Sequence, residues 1–209
     1  MGGASDAGVE LAFAIGHEVG NHLGGIRLQA HLLDDDLDTR SMAEASILID
    51  DLAGRSGPLL ALLRPLLSSD WSSAGGTKWA NLLGRVQQQI EDQGTRGARF
   101  LLSGDLETEI AAPDYEWLYP LLISLIEATI NHVGHAGSIV LDVTPEEGSV
   151  RISFDDDGDE EELSATAALR GRPLAVSIGR ELLSRIGGRI EVSRSEGRTR
   201  VGLVFPSPI

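Results

Sequence analysis

Apolar residues recur every three or four positions over the first third of the chain, which is the period of one face of an α-helix. Two such stripes are separated by the acidic stretch 34–41, which predicts a turn. Gly54, Gly57 and Pro58 interrupt the second stripe, so we expect that helix to be kinked. Residues 1–69 are therefore predicted to form a helical hairpin. The first stripe comprises Leu11, Ile15, Val19, Leu23, Ile26 and Leu33, and the second comprises Met42, Ala45, Ile49, Leu52, Leu59, Leu63 and Leu66.

Two helices alone cannot bury two apolar stripes well, so the hairpin needs a further partner. Pairing with a second copy of the chain would complete a four-helix bundle, and this arrangement predicts a homodimer. Packing of the hairpin against the remainder of the same chain would serve the same purpose. The periodicity leaves both arrangements open.

The pattern changes after a Ser/Gly-rich stretch at 68–78, which is typical of a linker. Beyond it, segments with helical periodicity are separated by short runs in which apolar and polar residues alternate. Two pairs of these runs predict β-hairpins. This order of elements favours an α+β sandwich over 77–209, with one sheet covered on one face by helices. The predicted helices are 79–94, 114–134 and 174–188, and the predicted strands lie within 98–104, 138–157 and 189–206.

Composition narrows the classes of partner that the chain can have. It has 209 residues and a formal net charge of −15, which disfavours binding to nucleic acid or to anionic lipid. It contains no cysteine, which excludes disulfides and thiol chemistry. No signal peptide is recognisable, and no apolar stretch reaches the ~20 residues of a membrane helix. We expect a cytoplasmic protein with no nucleic-acid or membrane partner.

Polar residues cluster on the first predicted helix at His17, Glu18 and Asn21. A neutral imidazole is nucleophilic near neutral pH, and a neighbouring carboxylate can orient the ring or accept its proton. Asn21 follows His17 by one turn and shares its helix face. Taken alone, the cluster also fits a solvated histidine on a bundle helix. We interpret His22 and His31 as surface or bundle residues.

The order of the segments resembles the catalytic core of two-component sensor histidine kinases, from about Leu11 to Pro206. The stretch HEVGNHLGGIRL, which starts at His17, is similar to the family's phospho-acceptor box. The stretch LLALLRP is similar to the end of its second helix, and SIGRELLSRIGGRIEVSRSEGRTRVGLVFP to its closing helix, Gly-Gly turn and last hairpin. The resemblance implies a dimerisation and phosphotransfer hairpin followed by an ATP-binding domain of the GHKL type. It also implies that His17 is the phospho-acceptor, with Glu18 and Asn21 as catalytic neighbours.

The resemblance weakens at the helix where the family holds the magnesium of ATP. Ala128 stands in place of the family's metal-binding asparagine, and Ser124 replaces an earlier asparagine. Alanine offers no oxygen to a hard cation, which requires oxygen ligands. Asn131 lies one turn away, and we expect it to face elsewhere.

The family's loop against adenine is altered as well. Asp156 and Gly158 are kept, but Glu160 stands in place of the second glycine. Further carboxylates crowd the same loop over 155–162, and this charge would repel a triphosphate.

The family's phosphate lid uses glycine backbone amides to cradle phosphate. Here Gly171 is kept, whereas Pro173 and Ala175 replace the other two glycines, and proline has no amide donor. The resemblance therefore implies a degenerate nucleotide site at Ala128, Asp156, Gly158, Glu160 and Gly171. We expect no cofactor, and ATP with magnesium only if the chain is a kinase.

No metal site is predicted either. His132 and His135 are three residues apart, but no carboxylate follows at a useful spacing. The acidic run 155–162 does not match a calcium loop, because position 164, where the closing glutamate belongs, holds serine.

The intact His17 region beside a degraded nucleotide site implies a histidine-containing phosphotransfer protein. Such a protein passes phosphate between His17 and the aspartate of a response-regulator receiver domain without using ATP. An upstream histidine kinase or a phosphorylated receiver would supply the phosphate. Two alternatives stay open: a divergent ATP-dependent sensor histidine kinase core, and a non-catalytic pseudokinase or receiver phosphatase that binds a response regulator.

Overall fold

The computed structural model describes the chain in nine segments. They are residues 5–33, 38–68, 76–93, 98–104, 111–113, 116–134, 137–158, 163 and 168–206. Within these segments, no helix combines the length and the apolarity needed to cross a bilayer.

The N-terminal part is the predicted helical hairpin. It consists of α1 (Asp6–Leu32), α2 (Thr39–Ala61) and the short α3 (Leu63–Leu67). The side chains of Ser5 and Asp38 cap α1 and α2 by accepting a hydrogen bond from the backbone N–H three residues further on. Although Pro58 lies inside α2, the helix continues to Ala61, and only Leu62 separates it from the start of α3.

The C-terminal part contains a mixed five-stranded sheet and three helices. The strand order is β2-β4-β5-β7-β6, in which β2 and β4 are parallel and all other neighbours are antiparallel. A separate pair of three-residue strands, β1 and β3, was not predicted. The elements are β1 (Gly76–Lys78), α4 (Trp79–Gln93), β2 (Arg99–Gly104), β3 (Ala111–Pro113), α5 (Leu118–Val133), β4 (Ser138–Glu146), β5 (Ser149–Asp156), α6 (Gly171–Ser184), β6 (Arg189–Ser195) and β7 (Arg198–Pro206).

Alternation along the strands determines which face of the sheet is covered. In β5, Val150, Ile152 and Phe154 are buried and join the core cluster formed with α5 and α6. Arg151 and Asp155 point to the other face, where Arg151 is ion-paired to Glu146 of β4 and Asp155 to Arg198 of β7. The predicted α+β sandwich, with helices on one face of the sheet, is confirmed.

The hairpin and the sandwich share one hydrophobic core. Leu11 and Ile15 of α1 and Leu62 lie in the same buried cluster as Leu121 of α5 and Leu174 of α6. Burial of this area is the main stabilising contribution to the packing of the two parts. Of the two arrangements that the sequence left open, the structure shows the packing of the hairpin within its own chain. The predicted boundaries 1–69 and 77–209 stay a prediction.

A second apolar set on α1 lies outside this core. Phe13 is 77% exposed and Leu23 is 57% exposed, and Val9 is also exposed on the same helix. The nearby Gly16 and Gly20 have open space around the position of a Cβ atom. The hairpin therefore has one apolar face against α5 and α6 and another that faces outward.

Polar contacts join the two parts at the start of α1. The Ser5 hydroxyl donates to Glu181 of α6 at 2.6 Å. The guanidinium of Arg185, just after α6, donates to the carbonyl oxygens of Pro65 and Leu66 at 2.9 and 3.0 Å. These carbonyls lie at the C-terminus of α3, where helix carbonyls lack partners within the helix.

The start of α6 differs from the prediction. The helix begins at Gly171 and ends at Ser184, whereas the sequence predicted 174–188. Pro173 lies in the first turn, where its missing N–H breaks no helical hydrogen bond. The segment compared above with a phosphate lid is therefore the first turn of a helix.

Candidate functional site

His17 is exposed on α1 and has one polar contact. Its Nδ1 atom lies 3.3 Å from Nδ2 of Asn21, one turn further along the helix. Among the described residues, no group bonds to Nε2, the other ring nitrogen. The structure therefore brings His17 and Asn21 together as the sequence predicted.

The contact with Asn21 controls which ring nitrogen is nucleophilic. If the amide nitrogen donates to Nδ1, the neutral ring carries its proton on Nε2. A half-turn of the Asn21 amide presents Oδ1 to the ring instead. In that orientation Nδ1–H donates to Asn21, and the lone pair lies on the open Nε2 atom.

Glu18 does not bond to His17 in this conformation. Its Oε1 atom accepts a hydrogen bond of 3.1 Å from the backbone N–H of Gly171, the first residue of α6. The carboxylate satisfies one of the unpaired N–H groups at the helix start and interacts favourably with the helix dipole. The prediction that Glu18 orients or deprotonates His17 stays a prediction, and sequence reasoning missed this contact between residues 153 positions apart.

His22 belongs to the interface between α1 and α2. Ser56 donates its hydroxyl proton to the carbonyl oxygen of Leu52 at 2.9 Å, so it accepts from Nδ1 of His22 at 3.1 Å. Nε2 of His22 faces the Glu18 carboxylate at 4.0 Å. Burial lowers the pKa of His22; nearby Glu18 acts to raise it, and the charge of Arg55 acts to lower it further.

The α5 positions that were compared above with the family's metal-binding helix line a narrow cleft beneath the hairpin. Ser124, Ala128 and Asn131 of α5 border it, together with Glu18 and Gly171. The expectation that Asn131 faces elsewhere was wrong, because residues seven apart on an α-helix share a face. The cleft encloses about 150 Å³.

Asp156, at the end of β5, is fully buried and paired with Arg172 of α6. The guanidinium donates to both carboxylate oxygens of Asp156, and the N–H of Gly158 donates to one of them at 3.1 Å. The Nε atom of Arg172 is buried without a partner among the described residues. Sequence reasoning missed Arg172, although a buried carboxylate requires a cation or several donors nearby.

Gly158 approaches another side chain of the same chain. A Cβ atom at this position would lie 2.6 Å from the imidazole of His132, so glycine permits the close packing of that ring. Glu160 and His135 lie outside the described residues. Among the residues that the structure describes, no three His, Asp or Glu side chains converge as a metal site.

Comparisons with known proteins give the same architecture. No protein-family model matches the chain, and no curated protein matches its sequence. The Acinetobacter baumannii histidine kinase AdeS is similar with a TM-score of 0.64 and 14% identity, over 92% of this chain and 98% of AdeS. The catalytic domain of histidine kinase ThkA gives a TM-score of 0.55 and 19% identity, over 66% of this chain and 96% of that domain. A bacterial phosphotransferase gives 0.58 and 15%, over 95% of each chain.

At these identities the similarity establishes the fold. The chain has the fold of a histidine kinase catalytic core, with a helical hairpin and a GHKL-like sandwich. Function has to be argued from the site itself.

Proposed function

We propose that this chain is a histidine phosphotransferase of a two-component phosphorelay. His17 would accept a phosphoryl group from the aspartyl phosphate of a response-regulator receiver domain and pass it to another receiver. The observation that carries the proposal is the exposed imidazole with an open Nε2 atom, held at Nδ1 by Asn21. The similarity of fold to histidine kinases, and to a protein described as a phosphotransferase, supports it.

The transfer needs no cofactor at His17. The Nε2 lone pair attacks the phosphorus atom of the aspartyl phosphate, a P–N bond forms, and the P–O bond to the aspartate breaks. The aspartate leaves as a carboxylate, so it needs no proton. With its amide turned by half a turn from the orientation in which Nδ2 faces the ring, Asn21 accepts the hydrogen bond of Nδ1–H at Oδ1, which stabilises the positive charge that develops on the ring.

Transfer without ATP is supported by the contents of the degenerate nucleotide site. Arg172 pairs with Asp156, the imidazole of His132 packs on Gly158, and Glu18 bonds to Gly171. The cleft of about 150 Å³ is small beside the roughly 300–1,000 Å³ of ordinary ligand pockets. A neighbouring cavity of about 390 Å³ is lined by four carboxylates and one arginine, a charge that opposes a triphosphate.

We propose further that the active form is a homodimer with a central four-helix bundle. The outward apolar residues Val9, Phe13 and Leu23 support this, because exposed apolar side chains that share a helix face mark association surfaces. His17 lies beside this face on the same helix. In such a dimer a receiver domain would dock along α1 next to His17.

The proposal is tested by phosphotransfer from a phosphorylated receiver domain. A receiver labelled with radioactive phosphate is mixed with wild type, His17→Ala or His31→Ala. His31 is the matched control, because it is another exposed histidine of α1. We expect acid-labile, alkali-stable label on wild type and His31→Ala, and none on His17→Ala. Equal labelling of all three proteins, or no labelling of wild type by any receiver of a complete set, would contradict the proposal.

The kinase alternative is separated from it by adding ATP and magnesium in place of the receiver. Label on His17 under these conditions would establish the divergent kinase core instead. The receiver phosphatase alternative is favoured by one observation, the position of Asn21 beside His17. It predicts that Asn21→Ala slows loss of phosphate from the receiver more than His17→Ala does.

A further inference from the structure

The cleft between the hairpin and α5 has features that the phosphotransfer proposal does not use. It lies between α1, α2, α5 and the start of α6, and its volume is about 150 Å³. In a protein interior, an apolar cavity of about 150 Å³ accommodates one benzene ring. The cleft therefore fits a ligand of one ring with a small substituent.

The base of the cleft is apolar. Leu59 of α2, Ala128 of α5, and Leu174 and Ala175 of α6 line it. Leu174 and Ala175 are almost fully buried, so their side chains are held in place by the core behind them. A flat hydrocarbon ring bound in the cleft would remove its own apolar surface from water.

The polar wall is negative overall. Glu18 and Glu127 line the cleft with a single arginine, Arg55. The Nε atom of Arg55 donates to Asp51 at 3.2 Å and a second guanidinium nitrogen donates to the other carboxylate oxygen. Glu127 and Glu18 also interact electrostatically with this guanidinium, so three carboxylates face one arginine. The adjoining cavity of about 390 Å³ adds Asp50 and Asp92 to the same side. Because Glu18 and Glu127 are themselves partly buried, they favour a cation in the cleft over an anion.

A buried hydroxyl provides an independent sign of a missing partner. Ser124 lines the cleft and is 5% exposed, yet its Oγ atom has no hydrogen-bond partner among the described residues. A serine inside a helix ordinarily donates to the carbonyl four residues earlier, as Thr129 does to Leu125. A buried polar atom left unpaired is unfavourable, and such atoms mark sites of water, ions or ligands.

We propose that this cleft binds a small organic cation, an ammonium or amidinium group attached to one hydrophobic ring or short aliphatic chain. The cationic group donates to Glu127 and Ser124, and the apolar part lies on Leu59, Leu174 and Ala175. Since the ligand touches α2, α5 and α6 together, it stabilises the packing of the hairpin against the sandwich. The inference does not rest on the reactivity of His17.

The probe for this proposal is benzamidine, which combines one ring with an amidinium group. Binding is followed by calorimetry and by amide chemical-shift changes in the full chain. We expect saturable binding with a Kd on the order of 0.1–1 mM, the range for a ligand of this size. Benzamide, which is uncharged, and benzoate, which is negative, are expected to bind at least about tenfold more weakly. Equal affinity for benzoate would overturn the proposal.

Three variants locate the site. Glu127→Gln removes the charge at nearly the same shape and is expected to weaken benzamidine binding about tenfold. Ala128→Leu fills the base of the cleft and is expected to abolish binding, with a circular dichroism spectrum that shows the fold is retained. Glu147→Gln, an exposed carboxylate in the turn between β4 and β5, is the matched control and leaves the affinity unchanged. If Ala128→Leu is folded and binds like wild type, or if Glu147→Gln weakens binding as much as Glu127→Gln, the cleft is not the site.

Discussion

Two polar sites in this molecule use their side chains in opposite ways. On α1, His17 lies in solvent, and its ring is within hydrogen-bond distance of Asn21. At the end of β5, Asp156 is completely buried, and its carboxylate accepts from Arg172 and from the N–H of Gly158. The first site has an open ring nitrogen, whereas the second is occupied by side chains of the chain itself.

The difference follows from the cost of leaving a charge unpaired inside a protein. A buried carboxylate without a partner is strongly unfavourable, so a pocket that does not receive an external ligand must be neutralised from within. Arg172 supplies that charge from the first turn of α6. An exposed imidazole carries no such desolvation cost, because water solvates it. It can therefore lack a protein partner without destabilising the fold.

The largest effect that tests this comparison is on phosphotransfer activity. His17→Ala is expected to abolish phosphotransfer, because no other ring nitrogen replaces Nε2. The free energy of unfolding should change by less than about 0.5 kcal/mol, since the side chain is exposed and away from the core. The two readouts are receiver-dependent labelling and urea unfolding of the same protein preparation. A large loss of stability would mean that His17 is structural, and the contrast with Asp156 would fail.

The second largest effect is on the free energy of unfolding and comes from the buried ion pair of Asp156 and Arg172. Arg172→Ala leaves the Asp156 carboxylate buried without its cation, which costs about 3–5 kcal/mol. The double variant Arg172→Met with Asp156→Asn removes both charges and should regain much of that loss. Urea unfolding followed by circular dichroism measures both. A loss below about 1 kcal/mol in Arg172→Ala would show that the pair is not needed to neutralise the site.

The Arg172→Ala variant also tests whether the site binds ATP. If the site retained affinity for a nucleotide, ATP with magnesium would bind the folded Arg172→Ala protein and raise its unfolding midpoint. We expect no such shift, because Ala128 offers no metal ligand and Glu18 covers the N-terminus of α6. A shift with ATP that is absent with inorganic phosphate would revive the kinase alternative.

Elements whose signal is local were predictable from the sequence. The stripe at Leu11, Ile15 and Val19 predicted α1, and the alternation in β4 and β5 predicted their hairpin. The strands β1 and β3 were not predicted, because three residues are too few for an alternating pattern. The start of α6 was placed too late, since its glycine and proline indicate a loop unless the position of the preceding backbone is known.

Contacts between distant segments were not predictable in the same way. His17 and Asn21 meet because they are one helical turn apart, and a spacing of four specifies that contact. Glu18 meets Gly171 only because the hairpin packs on α6, which depends on the whole core. The pairing of Asp156 with Arg172 had a weaker signal, an acidic residue ending an apolar strand with an arginine 16 residues later.

A smaller change in the free energy of unfolding is expected at Gly171, where the hairpin contacts the start of α6. Gly171 has φ of +52°, a conformation that costs most other residues about 1–2 kcal/mol. A Cβ atom there would meet no other atom, so Gly171→Ala should lose that amount through backbone strain alone. Gly57→Ala is the matched control: it also has open space, but it lies inside α2 and should gain roughly 0.5–1 kcal/mol. Urea unfolding should therefore shift in opposite directions for the two variants, and equal shifts would refute the role assigned to Gly171.

The smallest expected effect is on the pH dependence of stability and comes from His22, which contacts Ser56 of α2 and faces Glu18. Its pKa is lowered below the usual value near 6.5, chiefly by burial and also by Arg55, although Glu18 opposes this. The unfolded chain therefore takes up the proton first as the pH falls, and the free energy of unfolding decreases below about pH 6.5. The carboxylates whose pKa is lowered by ion pairs, such as that of Glu146, lose their stabilisation only below about pH 4.5.

His22→Gln should remove the part of the decrease that occurs between about pH 6.5 and pH 5, because the amide does not titrate. It keeps a donor for Ser56, so the contact between α1 and α2 is retained. His31→Gln on the exposed end of α1 is the control and should leave the pH dependence of wild type unchanged. The measurement is urea unfolding at several pH values for the three proteins. If all three curves coincide, protonation of His22 is not linked to the stability of the interface between the helices.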